Sequence, residues 1–171
     1  ALFELDHKNR YVLFSNSFAG SPSLPIQLPS NVTTAIGRWP NRLLNAAFRF
    51  ASRPHIDRML GGLDVFFSPR YLFTALSPAC RLVVTVHDLS FIRHPEFFSW
   101  QRRWWHRILS DQRGCRRADR IIAVSESTKR DLIELFRISN NKISVVYPGV
   151  HAQPTGAQAS SDTQILSGYG L

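Results

Sequence analysis

Arg81-Leu82-Val83-Val84-Thr85-Val86-His87-Asp88 is the stretch whose reading decides the fold. A strand with one wet face alternates apolar and polar residues, but Leu82 to Val86 does not alternate. Near-continuous apolarity over this length predicts a central strand of a parallel sheet, covered on both faces. Outward from it, further strands are predicted at residues 10–15, 63–68, 119–124 and 142–147, each apolar and closed by turn residues. Residues 41–51 place Leu44, Ala47, Phe48 and Ala51 on one helical face before Pro54 stops the helix, and residues 55–60 add a short turn. Ser99 is expected to cap a long helix reaching about residue 117. Ser125 is expected to cap a second, built on Leu132, Ile133 and Phe136. Residues 91–98 read as a loop, and residues 21–40, rich in proline, as irregular with one short edge strand near Ile26-Gln27-Leu28. Strands alternating with helices make a three-layer α/β unit with a mostly parallel sheet.

Composition bounds the answer. A chain of 171 residues has room for one ordinary core. With 44% hydrophobic and 19% charged residues it is neither a disordered tail nor a membrane bundle. No apolar run approaches the roughly 18 residues of a spanning helix. Cys80 and Cys115 are too few for a disulfide framework or a four-thiolate zinc site, and fit a reducing compartment. No basic-then-apolar leader opens the chain, and residues 1–5 read as the end of a helix, so a fragment is expected. Residues 151–171, rich in Gln, Thr, Ser and Ala, read as a linker.

The net charge is +9, and residues 93–120 hold eight arginines against three acids. Such a field attracts phosphates of nucleic acid, anionic lipid or a sugar nucleotide alike; a solvated arginine-rich face is the plainer alternative.

Parallel sheets hold ligands beyond the carboxyl ends of their strands. That points to residues 68–71, 87–94 and 125–128. His87 and Asp88 are the sharpest candidates, because polarity returns there abruptly after a buried strand. The plainer alternative is a histidine donating to a backbone carbonyl and an aspartate capping Ser90. Ser125 lacks the flanking glycines of a nucleophile elbow and is better suited to capping a helix, where it could help bind an anion. No histidine pair has the spacing of a zinc peptidase, so no metal is expected. There is no Gly-x-Gly-x-x-Gly and no phosphate-loop lysine. Trp100, Trp104, Ile108 and Gln112 lie four apart on one helical face, with Arg102, Arg103 and Arg107 around the remainder. That face either covers the sheet or meets a membrane interface. For nucleic acid there is no helix-turn-helix, zinc-finger or aromatic-sheet motif.

Several blocks together carry a resemblance: Leu63-Asp64-Val65-Phe66-Phe67-Ser68-Pro69, Val83-Val84-Thr85-Val86-His87-Asp88-Leu89-Ser90-Phe91, Pro95-Glu96-Phe97-Phe98, Ala118 through Leu132, and Lys142 through Val150. In this order they resemble the first, acceptor-side domain of family 1 (group 1) retaining glycosyltransferases. The resemblance implies a Rossmann-like unit over residues 1–150, one half of the GT-B fold. It implies that the opening strand and most of the first helix precede Ala1, and that a donor-binding domain follows the linker. The implied activity is transfer of a hexose, mannose among the options, from a nucleotide-sugar to a lipid-linked or polysaccharide acceptor in envelope assembly. The implied place is the cytoplasm, peripheral on the inner face of the cell membrane. His87 matches the family histidine that reaches the transferred sugar. Asp88 matches the acid beside it, with a bracing role, and Ser125 and Thr128 match the Ser-x-x-Thr that starts the cleft-facing helix. Trp100, Arg102, Arg103 and Arg107 are the candidate membrane or acceptor contacts. No cofactor is expected on this chain, and the nucleotide-sugar is required by the full-length enzyme. On its own the fragment is expected to be inactive. A basic α/β module that only binds anionic membrane or nucleic acid stays open as the other reading.

Overall fold

The computed structural model describes residues 2–17, 28–70, 74–101, 103 and 112–149. From the amino end, α1 (Leu2–Leu5) leads to β1 (Tyr11–Asn16) and then β2 (Val32–Gly37). α2 (Asn41–Ala46) runs on through a wider π turn at Ala47–Ala51, and α3 (Ile56–Met59) precedes β3 (Val65–Ser68) and β4 (Arg81–Val86). α4 (Ser90–Arg93) and a 3-10 turn (Pro95–Phe97) follow, and the chain is helical again at residues 100, 101 and 103 and in α5 (Gln112–Arg117). Then come β5 (Arg120–Ala123), α6 (Glu126–Phe136) and β6 (Ile143–Val145).

β4 is where the sequence places it. Val84, Thr85 and Val86 are consecutive and all buried, which is possible only if both faces of the strand are covered. β4 pairs in parallel with β3 on one side and β5 on the other, and β6 lies outside β5. Asp119, one residue before β5, donates its amide to the Leu82 carbonyl and accepts the Leu82 amide on its carboxylate, both at 2.8 Å. Ile121 and Ala123 of β5, Leu132 and Phe136 of α6 and Cys115 of α5 close over the sheet in one apolar cluster with Val84 and Val86. The pairing is wholly parallel among the described residues, the α/β architecture expected.

β1 and β2 form a second parallel pair, in register from Tyr11 with Val32 to Asn16 with Gly37. Phe14 packs against the main core, as do Leu44 and Phe48 from the inner face of α2 and its π turn. A Cβ on Gly37 would stand 2.6 Å from Asn16 Oδ1. That oxygen accepts the Trp39 amide while Asn16 Nδ2 donates to the Trp39 carbonyl, so the side chain has no room to withdraw.

Two expectations change. Residues 32–37 lie inside the stretch read as irregular, yet they form β2. Of its residues Val32 is buried while Thr33, Thr34 and Ile36 are exposed, so the strand lacks the apolar run that would have marked it. Residues 91–98, read as loop, hold a helical turn and a 3-10 turn, each too short to show a hydrophobic period. Residues 26 and 27 of the expected edge strand, the helix centre at 104–111 and the linker lie outside the described residues; Leu28 is in no strand.

Asp57 of α3 is buried, and both its oxygens are taken by Ser77: the amide donates to Oδ1 at 2.8 Å and the hydroxyl to Oδ2 at 2.5 Å. Burial acts to raise this carboxyl, but the two Ser77 bonds outweigh it and hold it below its ordinary value. A depressed folded pKa stabilises above the unfolded pKa and is lost as pH falls through the folded one. Asp57→Ala should therefore cost about 1–3 kcal/mol at neutral pH. In urea melts run from neutral into acid, the gap from the parent should close as Asp57 becomes protonated; a gap independent of pH would refute the charged bond.

Candidate active-site cleft

In a parallel sheet every strand ends on the same edge, and here β4 and β5 end side by side, with Val86 opposite Ala123. His87 and Ser125 therefore emerge as neighbours. They line an open cleft of about 650 Å³, together with Asp88, Arg93, Thr128 and Asp131 among others.

Adjacent residues on a strand point to opposite sides, but β4 has ended by His87, so His87 and Asp88 are free of that constraint. His87 is exposed, and its Nε2 lies 3.0 Å from the carbonyl of Pro69, just beyond the end of β3. A carbonyl only accepts, so Nε2 carries the hydrogen, and in the neutral ring Nδ1 presents a lone pair. Asp88 Oδ1 accepts the Ser90 amide at 2.9 Å and also its hydroxyl, which starts α4. The plainer alternative for both residues is thus what their hydrogen bonds show. It fixes the histidine without covering it.

Ser125 caps α6. Its Oγ accepts the Thr128 amide at 3.1 Å and lies 3.0 Å from Thr128 Oγ1. Thr128 is buried, and its hydroxyl donates to the His87 carbonyl at 3.0 Å. Three residues further along the helix, Asp131 receives Arg93 through Nε at 3.0 Å and Nη2 at 2.5 Å, and Glu134 receives the same Nη2 at 2.6 Å. The Arg93 guanidinium is raised above its usual range, first by Asp131 and then by Glu134. With Arg93 partly exposed, solvent screening keeps this pair weak as a stabiliser. Its geometric effect is larger: Thr128, Asp131 and Glu134, spaced by three, form a polar rail along α6 that holds the segment from His87 to Arg93.

His94 stacks on Phe97 with ring centroids 5.5 Å apart, and its Nδ1 lies 3.2 Å from Glu96 Oε1. The Glu96 carboxyl is lowered, chiefly by its own amide and further by His94. Phe97 is 79% exposed and Trp100 72% exposed. Arg103 Nε donates to the Phe98 carbonyl at 2.9 Å. Arg102, Trp104 and Arg107 lie outside the described residues.

The structure brings His87, Asp88, Ser125 and Thr128 together at one cleft and sets Trp100 and Arg103 on the following segment. Sequence reasoning missed Pro69 as the ring's partner and Arg93, Asp131 and Glu134 as the loop's anchor. The three-residue spacing from Thr128 was the available signal. Among the described residues no cluster of His, Cys, Asp and Glu could hold a metal ion, and no helix is long and apolar enough to cross a membrane.

A sequence model of the family described as Glycosyltransferase Family 4 matches residues 5–153. No curated protein matches the chain.

Proposed function

The chain belongs to Glycosyltransferase Family 4, and on that premise we propose that it is the acceptor-side half of a retaining enzyme, with the transferred sugar held against His87. Family membership carries with it a group 1 glycosyltransferase of GT-B architecture, with this Rossmann-like region as the amino-terminal domain and a nucleotide-sugar as donor. The proposal adds the mechanism, the acceptor and the residues.

The observation that carries it is the anchored but exposed His87, standing at the carboxyl edge of the sheet beside the start of α6. That edge is where a parallel sheet offers a ligand the ends of several elements at once. Retention at such a site does not require a protein base at the acceptor hydroxyl. The leaving phosphate can take that proton while the protein stabilises developing charge. His87 then orients the sugar, while Asp88 and Ser125 shape the wall that faces it and buried Thr128 backs that wall.

Residues 1–150 would form this half and residues 151–171 the link to a donor-binding domain. One edge of β1 and one edge of β3 are unpaired among the described residues. A further parallel strand joining them would suit an opening strand supplied from before Ala1. The acceptor is proposed to be lipid-linked or a polysaccharide intermediate, and the sugar a hexose such as mannose.

Exposed Phe97 and Trp100 beside Arg103 favour contact with an anionic membrane, on its cytoplasmic face. In liposome sedimentation with acidic phospholipid, Arg102, Arg103 and Arg107 changed together to Glu should lower partition at least roughly a hundredfold, at about 1 kcal/mol per cation. Unchanged partition would reject the contact.

In the two-domain enzyme, His87→Ala should lower turnover on the order of a hundredfold with the melting temperature little changed. A folded variant of parental activity would remove His87 from the site.

A further inference from the structure

We propose that Thr128 is a positioning residue for His87, acting through the backbone and not by touching the sugar. This rests on the reading of His87 given above.

The ladder between β4 and β5 runs out at this point. Val86, the last residue of β4, still receives the Val124 amide on its carbonyl at 3.4 Å, and the carbonyl of His87 lies beyond the strand. The Thr128 hydroxyl meets it at 3.0 Å. Because a carbonyl cannot donate, the direction of every bond in the cluster follows. Thr128 Oγ1 gives its hydrogen to His87. Its own lone pair therefore receives the Ser125 hydroxyl, and Ser125 Oγ in turn accepts the Thr128 amide. Each hydroxyl donates once and accepts once, and such a closed chain strengthens its members.

Thr128 has only 5% of its surface exposed, so its hydroxyl has no free hydrogen to turn toward a ligand in the cleft. What it controls is where β4 stops and how the His87 backbone leaves it. The Pro69 carbonyl holds the other end of the residue, at Nε2. With backbone and ring both held, the free Nδ1 edge has one place to point. Misplacement of a contacting group by about 1 Å can cost roughly a hundredfold in rate.

The test is a mutant cycle in the two-domain enzyme, read as nucleotide-sugar hydrolysis with UDP-glucose and GDP-mannose as probes. Thr128→Val keeps the shape and removes the hydroxyl, Thr128→Ser keeps the hydroxyl, and His87→Gln keeps a residual polar group. The expected result is a kcat loss of roughly ten- to a hundredfold for Thr128→Val, with donor KM little changed. Thr128→Ser should recover most of it, and Thr128→Val in the His87→Gln background should add almost nothing. A full additional loss in that background would overturn the proposal, since Thr128 would then act independently of His87. His87→Gln with parental activity would instead overturn the reading of His87 itself. Should residual rates be too low, the His87 ring nitrogen signals in the same enzyme decide. They must move in Thr128→Val and return in Thr128→Ser, with His55 as the internal control; ring signals unmoved by Thr128→Val overturn the positioning role.

Discussion

Everything at the cleft depends on the burial of β4 from both faces. A strand enclosed in this way holds a polar side chain only where it is hydrogen-bonded, and between Leu82 and Val86 it carries one, Thr85, and no ionisable group. Chemistry is therefore pushed to its end, and parallel pairing puts the ends of β4 and β5 on one edge. The same enclosure creates a backbone problem. Just past the end of β4, the His87 carbonyl lies outside the ladder and takes its donor from elsewhere. The first turn of α6 supplies it from Thr128, and the partly buried Ser125 hydroxyl completes the cap of that helix. One short cluster thus ends a strand, starts a helix and places a histidine.

The second constraint comes from the loop itself. Residues 87–94 have two apolar anchors, buried Leu89 and partly buried Phe91 packed against the core, while Asp88, Ile92, Arg93 and His94 are exposed. Polar contacts hold the outer side, with Asp88 against Ser90 and Arg93 against Asp131 and Glu134. Such a loop keeps its shape while its outer surface stays open. The sugar proposed for this cleft would need that combination.

The central sheet was readable because its information is local and redundant. Leu82 to Val86 announce a strand by composition, and the end at His87 by contrast. β2 was not readable, because an edge strand whose side chains are largely in water has no apolar pattern to show, and prolines on either side point the other way. The one-turn helices at residues 90–97 escaped for a different reason: they are set by Asp88 and Pro95, not by periodicity. At the cleft, the four residues named from the family motif do gather. Their roles were less visible. That Thr128 bonds to the His87 backbone is a contact across 41 positions, and nothing in the local spelling signals it.

On the reading proposed above, this chain supplies one half of a cleft and would need the other half for transfer. The most direct measurement is a sugar-transfer assay of residues 1–171 beside the proposed two-domain enzyme, with the same labelled nucleotide-sugars and a membrane extract as acceptor source. Transfer confined to the two-domain protein is the predicted result. Transfer by residues 1–171 alone would contradict both the shared cleft and the proposed division of labour between the domains.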